Sequence, residues 1–410
     1  MYINGPQSTK SLMKFWRSMK RHINFISCDN IAYLAAFLMN QAVFQAMPSI
    51  YNKTPLLKQI FNHATSAQVF VKYECLQPSG SFKSRGIGHL ISKRAKDIQG
   101  DGRKSPHVFS SSGGNAGYAA AVAAQKLNLP CTVVIPTTTK QRMADKIRGC
   151  GANVVVQGSH WKEADSHLKN ILQNQVNMAI LEPIYVHPFD NPTIWEGHAS
   201  IVDEIISSLK NENTALNRVK GIVCSVGGGG LYNGIIQGLE KYNLANKIPL
   251  LAVETKGCHV LNTSLQVGQC VEFNKMNSVA TSLCTSQISS RTLDYVQKYG
   301  SKSIVLEDKE VLQTCLKYAE NFNMITEPAC GASLHLGYHP QLIERALGKN
   351  LDKDDVIIVI ACGGSSNTIL DLEESLAKLE EAPHLSIRRN ATPSLEHENI
   401  IYPKRAQVAS

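Results

Sequence analysis

The chain has 410 residues, 43% of them hydrophobic and 18% charged, a globular composition long enough for two or three domains. Its net charge is +9, but residues 1–46 supply +4 and the other 364 residues only +5 with signs mixed, which is no nucleic-acid footprint. Eleven cysteines stand singly with no Cys-x-x-Cys pair, which reads as reduced thiols and excludes a disulfide framework or a zinc site.

Residues 1–46 differ in character from the rest of the chain. A basic, acid-poor stretch, Lys10–Arg21, leads to an apolar stretch, Ile31–Phe44, which Asn40 and Gln41 interrupt and which is short for a membrane span. Three readings compete: a mitochondrial presequence, a signal peptide, or translated upstream sequence with Met47 as the true start. The scattered cysteines fit a signal peptide badly, so the expected location is mitochondrial or cytoplasmic.

From Met47 onward, strand-like and helix-like segments alternate with short Gly/Pro punctuation. Val69–Glu74 alternates like a strand, and a helical pattern runs from Ile87 to Ile98. Between them lies Pro78-Ser79-Gly80-Ser81-Phe82-Lys83-Ser84-Arg85-Gly86. A lysine where a helix begins is disfavoured as an ammonium by the helix dipole. A lysine with a depressed pKa is a nucleophile whose usual partner is an aldehyde. The competing reading is a βα turn with a solvated lysine.

His107–Ser110 is the next strand and runs into Ser111-Ser112-Gly113-Gly114-Asn115-Ala116-Gly117, with an Ala-rich helix, Tyr118–Lys126, after it. Pro130–Ile135 and Asn153–Val156 read as strands, and Lys140–Arg148 and Trp161–Gln173 as helices. Residues 184–198 read as a Pro-rich polar and aromatic loop of a functional kind. A helix from Ala199 to Lys210 precedes the strand Gly221–Val226, four glycines, and the helix Leu231–Glu240. Pro249–Glu254 is a strand, and 257–301 is less regular. Ser303–Leu306 is a strand, and Asp308 reads as the N-cap of a helix to Asn321. Val356–Ala361 is a β-branched run before Cys362-Gly363-Gly364-Ser365-Ser366-Asn367 and a helix to Leu379. The tail from Ala382 is polar and reads as loosely held.

This alternation predicts an α/β fold with parallel sheets flanked by helices. Turns at the ends of strands in such a sheet lie at its carboxyl edge, where ligands bind. Ser112–Gly117, Gly227–Gly230 and Cys362–Asn367 are therefore expected to converge. Four glycines between a strand and a helix make a phosphate cradle of exposed amides. It is neither a Walker A loop nor G-x-G-x-x-G, because Asn233 stands where the third glycine would be. Ser111–Gly117 offers amides, hydroxyls and one carboxamide at a helix start, which suits a carboxylate; an ordinary capped helix is the alternative. An aldehyde-trapping lysine, a phosphate cradle and a carboxylate loop together describe a site for pyridoxal phosphate (PLP) and an amino acid.

These segments, with Glu-Pro-Ala-Cys-Gly-Ala at 327–332, resemble the L-serine/L-threonine dehydratases, PLP enzymes of the tryptophan-synthase-β fold. The resemblance covers Ile50 to Leu379. It implies a large PLP-binding domain from 47–89 and 180–381, a small domain at 90–179, a homodimer, and no nucleic-acid or membrane partner. It implies β-elimination of L-serine to pyruvate and ammonia, and of L-threonine to 2-oxobutanoate and ammonia. Lys83 would be the Schiff-base lysine and the acid/base group. Phe82 would pack on the cofactor, and Asn115 would bond its hydroxyl. Gly227, Gly228, Gly229 and Gly230 would hold its phosphate, and Cys362 would lie beside the pyridine nitrogen. Ser112, Gly113, Gly114, Asn115 and Ala116 would hold the substrate carboxylate. Glu254, Cys258 and Leu283 align with the neighbourhood where relatives bind a monovalent cation such as K+, mainly through backbone carbonyls.

A thiol at 362 is a poor partner for a pyridinium, so the ring stays neutral, which suits elimination over a long-lived carbanion. Serine racemases carry a serine at the position of Gly113, and glycine has no proton to offer, so efficient racemisation is not expected. Cys284 stands where relatives have glycine and would be strained if that turn needs positive φ. Only about 30 residues come after the last helix, so a regulatory domain is not expected there. β-Replacement and a non-catalytic PLP or amino-acid sensor remain the alternatives.

Overall fold

The computed structural model describes residues 49–61, 67–101, 104–175, 181–381 and 400–401. The expectations for residues 1–46 and for most of the tail lie outside these residues. In chain order, the first strands are β1 (Leu56–Gln59) and β2 (Gln68–Lys72), and the first helix is α1 (Lys83–Asp101). Then come β3 (Ser105–Ser110), α2 (Asn115–Lys126), β4 (Cys131–Ile135), α3 (Gln141–Gly149), β5 (Asn153–Val156), α4 (Trp161–Gln175) and β6 (Leu181–Val186). Next are α5 (Pro192–Asn211), β7 (Val219–Ser225), α6 (Gly230–Lys241), β8 (Leu250–Thr255), α7 (Val260–Val267), β9 (Glu272–Phe273) and α8 (Ser290–Tyr299). The last are β10 (Lys302–Leu306), α9 (Asp308–Phe322), α10 (Pro328–Tyr338), α11 (Pro340–Leu347), β11 (Val356–Ile360), α12 (Ile369–Glu381) and β12 (Ile400–Ile401).

One sheet has the order β1-β2-β11-β7-β8-β10 and is parallel except for the β1–β2 edge. The other has the order β5-β4-β3-β6 and is wholly parallel. Helices flank both, the arrangement that strand–helix alternation forces. The second sheet takes in β6, so it extends past the 90–179 span expected for the smaller domain. α1 crosses the expected boundary at residue 89.

Central strands are buried on both faces, and their composition reflects it. β11 reads Val-Ile-Ile-Val-Ile, with every residue buried. It lies between β2, which leads to Lys83, and β7, which leads to the four glycines. Sheet order thus brings three of the sequence segments to one edge.

Several boundaries differ from the sequence reading. Residues 184–198 are not one loop: β6 runs to Val186, and α5 starts at Pro192 behind an Asn191 cap that accepts from Thr193 N. The stretch 257–301 contains α7 and α8. Asp308 is the first residue of α9, not its cap; Glu307 caps it in a capping box with Glu310. In the tail, Ile400–Ile401 pairs with β9, and Ile400 packs on the main core.

Candidate active site

The Lys83 loop is built by its neighbour across the sheet. Phe82 N donates to Cys362 O at 3.0 Å, and Gly364 N donates to Gly80 O at 2.8 Å. Ser365 Oγ donates to Ser79 O at 3.0 Å. Gly80 and Gly363 hold positive φ in this exchange. Lys83 is the first residue of α1, and its Nζ donates to the carbonyl of Pro188 in the loop after β6. A side chain from one sheet thus meets a loop from the other. Burial lowers the Lys83 ammonium to about 8, so desolvation rather than the helix dipole is the main cause. Phe82 leans on the buried ring of His198, centroids 4.9 Å apart. Burial holds that imidazole well below its ordinary value, and its two nitrogens have no partner among the described residues.

The four glycines join β7 to α6, with Gly229 in the left-handed region at φ 92°. A Cβ on any of them would overlap or crowd a neighbour: Leu283 backbone at Gly227, Phe189 at Gly228 and Gly230, and Thr292 at Gly229. Only glycine leaves this loop's amides free of side chains. Around it, Ser225 Oγ, Thr285 Oγ1 and Asn233 Nδ2 are buried with no hydrogen-bond partner among the described residues. Buried donors without partners are costly unless a ligand supplies acceptors.

Ser112–Ala116 lies where α2 begins, with Gly114 as N-cap. Ser111 beneath it is tied down by Asp165, with Oγ to Oδ1 at 2.7 Å. Asn115 Nδ2 donates to Glu327 Oε2 at 2.9 Å, and Asn115 Oδ1 accepts from Ser365 N at 3.0 Å. Glu327 is a hub that sequence reading missed, although its motif was in view. Its carboxylate also accepts from Ser282 Oγ at 2.7 Å, Ser366 N at 2.7 Å and Ser366 Oγ at 2.6 Å. It leaves no room for a Cβ on Gly364. Three loops distant in sequence therefore hang on one carboxylate.

Cys362 is buried just after β11, and its thiol is a neighbour of the free thiol of Cys330 on α10. The neighbouring Cys362 thiol and burial hold the Cys330 thiol well above its ordinary value. Cys330 sits in the Glu-Pro-Ala-Cys motif, but nothing in the sequence signals that it neighbours Cys362.

In the expected cation neighbourhood, Glu254 uses its carboxylate to cap α7, accepting from Leu261 N and Asn262 N, each at 2.8 Å. Burial raises that carboxyl to about 8. Cys258 Sγ lies 2.9 Å from Thr255 Oγ1. Leu283 packs on Gly227, so its contact is with the cradle. Among the described residues no group of three or more His, Cys, Asp or Glu could hold a metal ion. Cys284 adopts φ −69°, an ordinary value, so the strain expected there is not present.

A desolvated lysine with a lowered pKa, a side-chain-free amide loop at a helix start and spare buried donors beside it fit PLP. The match to known proteins agrees. Residues 48–363 match the family described as pyridoxal-phosphate dependent enzyme. The chain belongs to that family. The enzyme is 61% identical over 360 residues to the catabolic L-serine/threonine dehydratase of Saccharomyces cerevisiae, covering 88% of this chain and 98% of the relative. It is 54% identical over 330 residues to an L-serine dehydratase of the same organism, covering 80% and 98%. Among solved structures it resembles a fungal L-serine ammonia-lyase from Rhizomucor miehei, with TM-score 0.71, 31% identity, and coverage of 81% and 99%. No helix of the described residues is long and apolar enough to cross a membrane.

Proposed function

We propose that the enzyme is a catabolic L-serine/L-threonine dehydratase, an ammonia-lyase that converts L-serine to pyruvate and ammonia and L-threonine to 2-oxobutanoate and ammonia. The observation that carries this reading is Lys83: its amine meets the Pro188 carbonyl beside Phe189, which crowds the glycine cradle, and its loop bonds the Cys362 loop, which in turn holds Asn115. The names of the relatives support the substrates. Bound PLP supplies an electron sink that makes the proton on the α-carbon removable.

The chain's own residues do the rest. Lys83, with its pKa near 8, holds a usable fraction of neutral amine at neutral pH and can take that proton. Gly227–Gly230 and the start of α6 would bind the phosphate. Ser112–Ala116 would bind the substrate carboxylate and fix the amino acid over Lys83. Phe82, backed by His198, would cover one face of the cofactor. Cys362 would offer the pyridine nitrogen a thiol in place of a carboxylate, and a thiol would leave the ring neutral, which suits elimination of the β-hydroxyl.

The test is turnover by the purified protein supplied with PLP. Equimolar pyruvate and ammonia from L-serine are expected, with 2-oxobutanoate from L-threonine. Lys83→Ala should abolish both products and the visible absorbance of lysine-bound cofactor. A substituted amino acid formed with an added thiol, in place of a keto acid, would point to β-replacement. Cofactor absorbance with no product would point to a sensor.

A further inference from the structure

The loop after β4 reaches over the Ser112–Ala116 segment. A Cβ built on Gly113 would overlap the Thr139 side chain, Oγ1 first and then Cγ2 and Cβ. Thr139 thus occupies the space that a side chain at 113 would take. Its hydroxyl has no hydrogen-bond partner among the described residues, and the residue is only half-buried. The loop that carries it is pinned on both sides. Thr137 N donates to Gly158 O at 2.8 Å, Thr139 N to Pro136 O at 3.0 Å, and Lys140 Nζ to Ser366 O at 3.1 Å. The β-branched side chain has few rotamers, so the hydroxyl is held in place.

We propose that Thr139 is a further substrate-binding residue, whose hydroxyl donates a hydrogen bond to the carboxylate of the bound amino acid. β3 and β4 are adjacent and parallel, so the loops at their carboxyl ends lie side by side at one sheet edge. An anion at the start of α2 meets the amides of one loop and this hydroxyl from the other. The proposal rests on the reading of Ser112–Ala116 as the carboxylate loop. It also gives Gly113 a second reason to be glycine: a serine there would displace Thr139.

The experiment uses PLP-loaded enzyme and two amines that cannot eliminate. L-Alanine carries a carboxylate, and ethylamine lacks one. Dissociation constants are read from the change in cofactor absorbance. Thr139→Val should weaken L-alanine by roughly tenfold or more, the scale of a hydrogen bond to a charged group, and leave ethylamine unchanged. Thr139→Ser should restore most of the L-alanine affinity. Wild-type affinity for L-alanine in Thr139→Val, or equal weakening of both amines, overturns the proposal. Ser112→Ala serves as the control for the loop. If it weakens L-alanine while Thr139→Val does not, only the role of Thr139 fails. If neither does, the carboxylate-loop reading fails with it.

Discussion

Among the described residues the Lys83 amine has one hydrogen-bond acceptor, the Pro188 carbonyl, and no carboxylate pairs with it. Desolvation, only partly offset by the neighbouring Cys362 thiol, lowers its pKa from the ordinary value to about 8. The neutral fraction of the amine therefore rises about tenfold between pH 7 and pH 9. Capture of added PLP by the apoprotein should accelerate by the same factor, read as growth of visible absorbance; a flat profile would contradict the assignment. The linkage runs the same way. The folded apoprotein binds fewer protons than the unfolded chain between about pH 8 and pH 10.5, so its stability gains from this residue as pH rises through that window. Lys83 was legible in the sequence because a turn of small residues ends at it. The cause of its reactivity was not, because burial is a property of what packs around it.

At the scale of elements, α10 and the loops it faces form a unit around Glu327. Its carboxylate accepts from Asn115, Ser282 and Ser366, each carried by a different segment. Glu327→Ala leaves these donors unpaired, at a cost of about 1–3 kcal/mol. The expected result is a lower unfolding midpoint together with weaker PLP binding, because Asn115 and the Cys362 loop lose a common anchor. Loss of stability with unchanged cofactor affinity would count against the hub. α3 makes a second link. Arg142 and Lys140 donate to the Ser366 carbonyl, Lys146 donates to that of Ser365, and Arg142 pairs with Asp371. These groups are partly exposed, so Arg142→Met should move the unfolding midpoint by no more than about 2 °C. It should reduce kcat/KM for L-serine by about tenfold, since it loosens a loop at the site. None of these links could be read from one segment, because each joins residues more than a hundred positions apart or has no local signature.

Behind the lysine loop a buried ionic network spans β2, α1 and α5. Arg85 is fully buried and donates through Nε to Glu74 at 2.6 Å and through Nη2 to Glu204 at 2.7 Å. Lys72, also fully buried, pairs with Glu204 on α5 and donates to Thr54 O. β2, α1 and α5 are thereby locked two residues from the reactive amine. Arg85→Leu leaves Glu74 and Glu204 short of a cation in a buried site, and a loss of about 3–5 kcal/mol is expected. Denaturant unfolding checks this, and a change under about 1 kcal/mol would contradict it.

Local pattern was enough for the α/β class, the lysine, the glycine cradle and the chemistry they imply. Each of these shows within a few residues: a period of two or of 3.6, a turn composition, or a run of glycines that bares its amides. Three-dimensional packing alone settled that residues 184–198 divide between strand and helix and that Cys284 is unstrained. It also settled that Glu254 caps a helix, that Cys362 neighbours Cys330, and that Thr139 stands over Gly113. Each depends on which strands become neighbours. Sheet order sets that: β11 pairs along its two edges with β2 and β7, strands far from it and from each other in sequence, which no single segment encodes.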